Sequence, residues 1–204
     1  MKYTNKYLST FTQPLIGIDE VGRGCLAGPV YAAAVIFNCE TDIHLYQDSK
    51  KLKEIQRIEL AASIRQHHQF AIGIASVEEV DRVNIRQATF LAMRRAVAGL
   101  KLKDQTATLL VDGRDTIPNL EGFKQVAIIQ GDDQVRLIAA ASIVAKVARD
   151  KFMSELAQSF KDYGFEKHKG YGTLFHRQQI QKHGPTVWHR QTFAGVKEHL
   201  SGLD

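Results

Sequence analysis

Three apolar segments of the chain each end in acidic residues. These are Asp19 and Glu20 after the first segment, Asp112 after the second, and Asp132 and Asp133 after the third. Charged side chains are rare in buried strands unless something compensates them. Carboxylates that meet at one edge of a sheet form an all-oxygen site suited to a hard divalent cation such as Mg²⁺ or Mn²⁺. Taken singly, each acid can also be a solvated turn residue or a helix N-cap.

The glycine-rich stretch after Glu20 matches the sequence pattern of a dinucleotide-binding motif. Gly22, Gly24 and Ala27 match G-x-G-x-x-G/A after an apolar strand. That motif needs a helix to begin inside the loop, whereas Pro29 and a β-rich run follow here. The acids before the loop would also repel a pyrophosphate. The pattern therefore argues against dinucleotide binding.

Hydrophobic periodicity predicts the elements that must position these acids. Segments rich in Ile, Val and Ala predict five strands, and apolar residues at helical spacing predict three helices. The strands are 15–21, 30–37, 70–77, 107–111 and 125–129, and the helices are about 52–67, 84–100 and 134–160. This order predicts one mixed sheet with helices packed against it. From about Tyr163 onward, glycines, histidines and basic residues predict a short helical appendage rather than a second core.

Length and composition exclude several classes of protein. The 204 residues, 44% hydrophobic and 24% charged, fit a single globular unit and exclude a disordered or collagen-like chain. We find neither a membrane-length apolar run nor a secretory signal, and therefore expect a soluble protein. Only Cys25 and Cys39 occur, which fits a reducing cytoplasm and disfavours a structural zinc site. The formal charge of +5 is compatible with a polyanionic partner without requiring one.

Seven stretches, taken in order along the chain, resemble the motifs of bacterial ribonuclease HII. They are Gly17-Ile18-Asp19-Glu20-Val21-Gly22-Arg23-Gly24 with Leu26-Ala27-Gly28-Pro29-Val30, Asp48-Ser49-Lys50-Lys51-Leu52, Val111-Asp112-Gly113, Gly131-Asp132, Ala140-Ala141-Ser142-Ile143-Val144-Ala145-Lys146-Val147-Ala148-Arg149-Asp150, Lys169-Gly170-Tyr171-Gly172-Thr173 with His176, and His189-Arg190. The resemblance implies an α/β fold, a ribonuclease H-like mixed β-sheet flanked by helices, with a small C-terminal helical extension. It implies a catalytic core over residues 1–162 and an extension over 163–204 that packs on the core within the same domain.

The resemblance also gives the acids a role. It implies that Asp19, Glu20, Asp112 and Asp132 are the metal-binding catalytic carboxylates, with Asp133 outside the set. Two ions, Mn²⁺ or Mg²⁺, would act during catalysis. The implied enzyme is an endoribonuclease that hydrolyses the RNA strand of RNA–DNA hybrids. It would also cut on the 5′ side of ribonucleotides embedded in duplex DNA, leaving 3′-hydroxyl and 5′-phosphate ends. We expect these nucleic acids as partners, no membrane association, no obligate protein partner, and a monomer in the cytoplasm.

A further set of residues is predicted to contact the substrate. Gly22, Arg23 and Gly24 resemble the loop that reads the ribonucleotide 2′-hydroxyl at an RNA-to-DNA junction. The others in the matching motifs are Lys50, Ser142, Lys146, Tyr171, Thr173, His189 and Arg190. Three alternatives stay open: a solvated Lys50, a Ser142 bonded back to its own helix, and a buried Tyr171 that anchors the appendage.

The chain departs from the family pattern at three positions. Arg114 stands where Asn is more frequent, and Thr192 and Gly195 stand where Ser and Pro are common. None of these residues is a catalytic carboxylate. Two other functions stay open on the same fold: a noncatalytic nucleic-acid-binding domain, and a DNA junction nuclease or exonuclease with the same carboxylates.

Overall fold

A five-stranded mixed sheet lies at the centre of the computed structural model, which describes residues 8, 10–40, 43–102 and 106–200. The strands are β1 (Leu15–Val21), β2 (Val30–Ile36), β3 (Gln69–Ala75), β4 (Thr108–Asp112) and β5 (Lys124–Ile128), in the spatial order β3-β2-β1-β4-β5. The pairs β1–β2 and β2–β3 are antiparallel, whereas β1–β4 and β4–β5 are parallel. The mixed sheet is therefore confirmed, and the carboxyl ends of β1, β4 and β5 share one edge.

Helices cover both faces of this sheet. Within the described ranges they are α1 (Glu54–His67), α2 (Val77–Gly99), α3 (Gly131–Gln134), α4 (Arg136–Ser159), α5 (Phe165–His168) and α6 (Leu174–His183). One apolar cluster joins β1 and β2 to α2, and a second joins the opposite face to α1 and α4. Strand β2 is buried along its whole length, which explains its unbroken apolar sequence. None of these helices is both long and apolar enough to cross a membrane.

The start of α2 differs from the sequence prediction. The helix begins at Val77 rather than Asn84, because Ser76 and Glu79 form a capping box. The Ser76 hydroxyl accepts from the Glu79 amide at 3.2 Å, and the Glu79 carboxylate accepts from the Ser76 amide at 2.9 Å. Strand β3 consequently ends at Ala75, and its predicted end at Val77 was wrong.

Asn84 nevertheless marks a break inside α2. Its φ of 67° is not helical, so two helical segments meet there at a kink. Its Oδ1 accepts from the backbone amides of Arg86 and Gln87 at 3.0 and 3.1 Å. The predicted start at Asn84 is therefore the N-cap of the second segment.

The C-terminal segment packs on the second half of α4. A third cluster joins Leu26 and Met153 to Phe165 and Ile180. The appendage is also tied to α2, because Asp81 accepts from the Thr192 amide at 3.0 Å and from its hydroxyl at 2.6 Å. A serine could make the same pair of bonds, so the departure at Thr192 leaves this contact intact.

The departure at Gly195 follows from its backbone. Its φ is +89°, and its amide donates to the Glu198 carboxylate at 2.7 Å. Proline has neither that φ nor an amide hydrogen, so the local path here differs from one built on proline.

Candidate active site

Asp19 and Glu20 lie on opposite faces of β1. Side chains alternate along a strand, and Ile16 and Ile18 belong to the cluster with α2. Glu20 therefore faces the α2 side, where it lines a cleft, and Asp19 faces α4, where it is bonded by Ser142. The two neighbouring acids thus approach the strand end from both sides of the sheet.

Asp112 and Asp132 are brought to the same edge by β4 and the α3 turn. Ile18 pairs with Val111 in the parallel β1–β4 ladder. The next residue of each strand is an acid, so Asp19 and Asp112 lie side by side. The Gly131 amide donates to Asp112 Oδ1 at 2.6 Å, which fixes the turn that carries Asp132.

Gly17 allows the start of α4 to lie directly on β1. A Cβ atom at this position would stand 2.2 Å from the backbone oxygen of Leu137. Any side chain here would push the helix away. Asp132 precedes Leu137 by five residues, so the packing at Gly17 also affects the distance between Asp132 and Asp19.

The pKa values of these acids reveal a shared electrostatic site. Burial raises the pKa of Asp19 well above its ordinary range, and the charges of Glu20 and Asp112 raise it further. Burial also raises the pKa of Glu20, against the opposing effect of Arg23. For Asp112 the pKa is raised by burial and by the charge of Asp132. Burial is the largest cause of the raised pKa for all three acids, and the charge of a neighbouring acid raises each pKa further.

Two exposed cations partly compensate this charge. Lys50 Nζ lies 3.3 Å from Asp132 Oδ2, and Arg23 Nη1 lies 3.3 Å from Glu20 Oε1. Their side chains are 80% and 52% exposed. No group of three His, Cys, Asp or Glu side chains in the described ranges closes around a point as it would around a bound ion. The donor set, hard anionic oxygens whose repulsion remains only partly relieved, fits a divalent cation.

The Gly22–Gly24 loop is held from behind by Arg190. This guanidinium donates to the carbonyls of Gly22 at 2.6 Å, Arg23 at 2.8 Å and Gly28 at 3.0 and 2.8 Å. Gly22 has a φ of +95°, and a Cβ there would meet the Arg149 side chain at 2.2 Å. The carbonyls therefore turn inward, and the amides of Arg23 and Gly24 have no acceptor in the described part of the chain.

A second buried guanidinium supports the adjoining segment. Arg149 donates to the carbonyls of Ala27 at 3.0 Å, Pro29 at 3.0 Å and Lys169 at 2.8 Å. It lies on α4 and is fully buried, as is Arg190. Arg149 was not in the predicted site, because a lone arginine in an apolar helix gives no sequence signal that separates a carbonyl clamp from a surface cation.

Tyr171 lies beside this loop. A β-bridge pairs it with Cys25, its side chain is 42% exposed, and Lys146 Nζ stands 5.9 Å from its ring centroid. The ring is therefore exposed, and a stacking contact with the substrate stays a prediction. Lys146 itself is paired with Asp150 at 2.9 Å.

Other predicted contacts fall close to the acids or just beyond them. The Ser142 hydroxyl lies 3.0 Å from that of Ser49, and its bond to Asp19 lowers the pKa of that acid. Ser142 therefore takes part in the acidic site through its side chain. Thr173 is exposed and caps α6, accepting from the His176 amide at 3.2 Å.

His189 and Arg190 are fully buried, so neither side chain is accessible to a substrate in this structure. A direct substrate contact by either residue stays a prediction. His189 Nδ1 accepts from the Thr186 amide at 2.9 Å, so its proton sits on Nε2, 3.0 Å from His176 Nε2. His176 Nδ1–H then donates to the Tyr171 carbonyl at 2.9 Å. Burial lowers the pKa of His176 to about 4 and that of His189 to about 3. This neutral chain anchors Tyr171, and its ring nitrogens are bonded rather than arranged around a zinc ion.

Comparison with known proteins matches this architecture. The family profile described as Ribonuclease HII matches residues 16–196. The ribonuclease HII of Pelagibacter ubique (strain HTCC1062) is 46% identical over 186 residues, covering 91% of this chain and 98% of that protein. The ribonuclease HII of Pseudothermotoga lettingae is 49% identical over 187 residues, covering 92% and 80%. The solved structure of the PCNA:RNase HII complex from Archaeoglobus fulgidus is similar with a TM-score of 0.75 at 28% identity, covering 89% of this chain and 96% of that one.

Proposed function

Because the chain belongs to the ribonuclease HII family and is an endoribonuclease with ribonuclease H activity on RNA–DNA hybrids, we propose how its residues carry out that reaction. In this proposal Asp19, Glu20, Asp112 and Asp132 hold two divalent ions, Mg²⁺ or Mn²⁺. The enzyme cuts on the 5′ side of ribonucleotides embedded in duplex DNA and leaves 3′-hydroxyl and 5′-phosphate ends. The observation that carries the proposal is the meeting of four acids, from three parallel strand ends, whose repulsion calls for cations.

The bound ions would lower the pKa of the attacking water and neutralise charge on the phosphate and the leaving oxygen. The chain's own residues supply the rest. Gly131 orients Asp112 through its amide, and Ser142 orients Asp19. The exposed Lys50 and Arg23 are free to turn from the acids to the substrate phosphates once the acidic charge is otherwise compensated.

Recognition of the ribose falls to the Gly22–Gly24 loop in this proposal. Its outward amides can donate to a 2′-hydroxyl, the group that distinguishes RNA from DNA. Tyr171 would stack on the adjoining sugar or base. The loop is hydrogen-bonded to the buried side chain of Arg190, and Tyr171 to that of His176. The groups that we propose to recognise the ribose are therefore fixed before the substrate binds.

We propose that the enzyme works in the cytoplasm and that nucleic acid is the partner its reaction requires. The chain has two cysteines, Cys25 and Cys39, and this low cysteine content supports a reducing compartment. The extension over 163–204 would act as part of the catalytic domain, since its Arg190 donates to the carbonyls of Gly22 and Arg23 in the core.

One gel assay tests this function. The substrates are a duplex with one embedded ribonucleotide, an RNA–DNA hybrid and an all-DNA duplex, each with Mg²⁺, Mn²⁺ or excess chelator. Cleavage of the first two with metal, and none in chelator, is expected. Cutting of the all-DNA duplex would favour the DNA nuclease, and binding without cleavage in every lane would favour the noncatalytic domain.

Matched variants test the acids. Asp132→Asn should lower the cleavage rate at least about a hundredfold, comparable to the loss of one group that stabilises a transition state. Asp133→Asn is the control, because this neighbouring acid is paired with Lys51 and lies outside the set. Equal losses in the two variants would remove Asp132 from the catalytic group.

A further inference from the structure

A cleft open to solvent lies on the α2 side of the acidic edge. Glu20 and Asp112 form part of its wall, and Arg86, Phe90 and Met93 of α2 form another part. Arg23, Thr89 and the turn after β4, which carries Arg114, also line the cleft.

Arg86 is held in place in this cleft. Its guanidinium carbon stands 5.1 Å from the Phe90 ring centroid, and its Nη2 lies 3.2 Å from Asp115 Oδ2. Its own amide is bonded to Asn84, whose φ of 67° sets the direction of the chain there. An arginine fixed against a ring loses less side-chain entropy when it binds an anion.

Arg114 is the cation of this cleft whose charge is not balanced by an acid. Arg86 is paired with Asp115, and Arg23 with Glu20, whereas Arg114 forms no ion pair in the part of the chain that the structure describes. It is two residues from Asp112 and follows Gly113, which has a φ of +109°. The turn thus places Arg114 on the wall of the cleft that Asp112 also lines, at a position where the family pattern more often has Asn.

We propose that this cleft binds a phosphodiester group of the substrate strand close to the scissile phosphate, with Arg114 as its main ligand and Arg86 as its second; this inference rests on the function proposed above. A polyanion that crosses four acids needs cations on both sides of them. Lys50 lies on the α4 side, and Arg114 and Arg86 supply the α2 side. The apolar wall of Phe90 and Met93 keeps the phosphate near the guanidinium groups.

Salt dependence of binding gives the first test. On duplex, loss of one phosphate contact lowers the slope of log binding constant against log salt concentration by about 0.9. Between 50 and 200 mM salt, the affinity of Arg114→Gln should therefore fall about 3.5-fold less than that of the parent. Both are measured in an Asp132→Asn background, so that the hybrid is not consumed. Arg82→Gln is the matched control, because Arg82 lies on α2, is 72% exposed and does not line the cleft. It should leave the slope unchanged.

Position-specific neutralisation gives the second test. Hybrids carrying a single uncharged methylphosphonate, walked across the positions on either side of the cut, are bound by the parent and by Arg114→Gln. One position should weaken the parent and leave the variant unaffected. Equal effects in both proteins at every position, or an unchanged salt slope, would overturn the inference. Cleavage by the wild-type chain is scored separately, so failure of the proposed function is distinguishable from failure of this phosphate site.

Discussion

Replacement of Arg190 by methionine tests whether this residue supports the Gly22–Gly24 loop or contacts the substrate directly. The guanidinium is fully buried and donates to the carbonyls of Gly22, Arg23 and Gly28. Burial lowers the pKa of Arg190 to about 10, as expected for a charge removed from water. Methionine fills much of the same space, but it leaves the carbonyls of Arg23 and Gly28 without a donor among the described residues and that of Gly22 with only the Cys25 amide at 3.4 Å.

The magnitude follows from these bonds. Hydrogen bonds from a charged donor contribute about 1.5 to 3 kcal/mol each, and relief of the desolvated guanidinium offsets part of their sum. Each buried carbonyl that loses its donor costs about 1 to 3 kcal/mol, so after this offset we expect a loss of about 3 to 5 kcal/mol for Arg190→Met. A domain of this kind has a free energy of unfolding of about 5 to 15 kcal/mol, so the variant should fold but with little margin.

Urea unfolding at neutral pH, followed by circular dichroism, measures the effect. With a slope of about 2 kcal/mol per M, the midpoint should fall by about 1.5 to 2.5 M. Arg177→Met is the control, because Arg177 is exposed and its Nε donates to the Gly172 carbonyl at 3.1 Å. Its free energy of unfolding should change by less than about 1 kcal/mol.

Activity below the unfolding transition completes the test. A misaligned loop should reduce cleavage at a single embedded ribonucleotide more than cleavage of a long hybrid, since the junction depends on one 2′-hydroxyl. Arg190→Lys should not restore the preference, because an ammonium group lacks the planar fork. If Arg190→Met kept wild-type stability and lost only affinity for nucleic acid, Arg190 would be a substrate contact and the clamp reasoning would be wrong.

Three shorter predictions follow from the site. Gly17→Ala should cost about 1 to 3 kcal/mol or more in urea unfolding and reduce cleavage, because its Cβ would stand 2.2 Å from a backbone oxygen of α4; wild-type values for both would contradict the close packing. Asp112→Asn should stabilise the metal-free protein by about 0.5 to 2 kcal/mol and abolish its thermal stabilisation by Mg²⁺, because it removes a charge repelled by Asp132; a lower melting temperature in chelator would contradict this. His176 and His189 stay neutral in the fold but take protons when unfolded, so their contribution is lost as pH falls from about 6.5 towards 4. The stability difference between wild type and His189→Gln should therefore shrink by about 2 kcal/mol between about pH 7.5 and about pH 5, and a constant difference would refute the neutral chain.

The sequence contained enough to predict the sheet and its acidic edge. Strand β1 is predicted to the residue, because apolar alternation stops at a glycine-rich turn on one side and a proline lies just before it on the other. The long helix α4 is predicted within two residues at its start. The short α3, which lies before the predicted helix start at Gln134 except for Gln134 itself, was not predicted, since a four-residue helix has no periodicity of its own.

Two parts of the candidate site could not be predicted from one sequence. Apolar periodicity identifies faces, but it does not say that Glu20 opens into a cleft shared with α2, which depends on how closely that helix packs. Burial of Arg190 and His189 was likewise invisible, because polar residues in a basic stretch read as surface. Their partners are backbone carbonyls and another histidine, which carry no sequence signature.

The choice of partners for the two buried arginines follows from where they lie. Arg149 and Arg190 form no ion pair with a carboxylate in the ranges described, and both bind carbonyls instead. An additional acid behind the Gly22–Gly24 loop would cancel their charge and add to the repulsion between nucleic acid and the four acids that we propose to be catalytic. Carbonyl partners satisfy the guanidinium donors while leaving the positive charge in place beneath the loop. The same bonds that shape the Gly22–Gly24 loop therefore also make its outward amides more attractive to the oxygen atoms of a nucleic-acid strand.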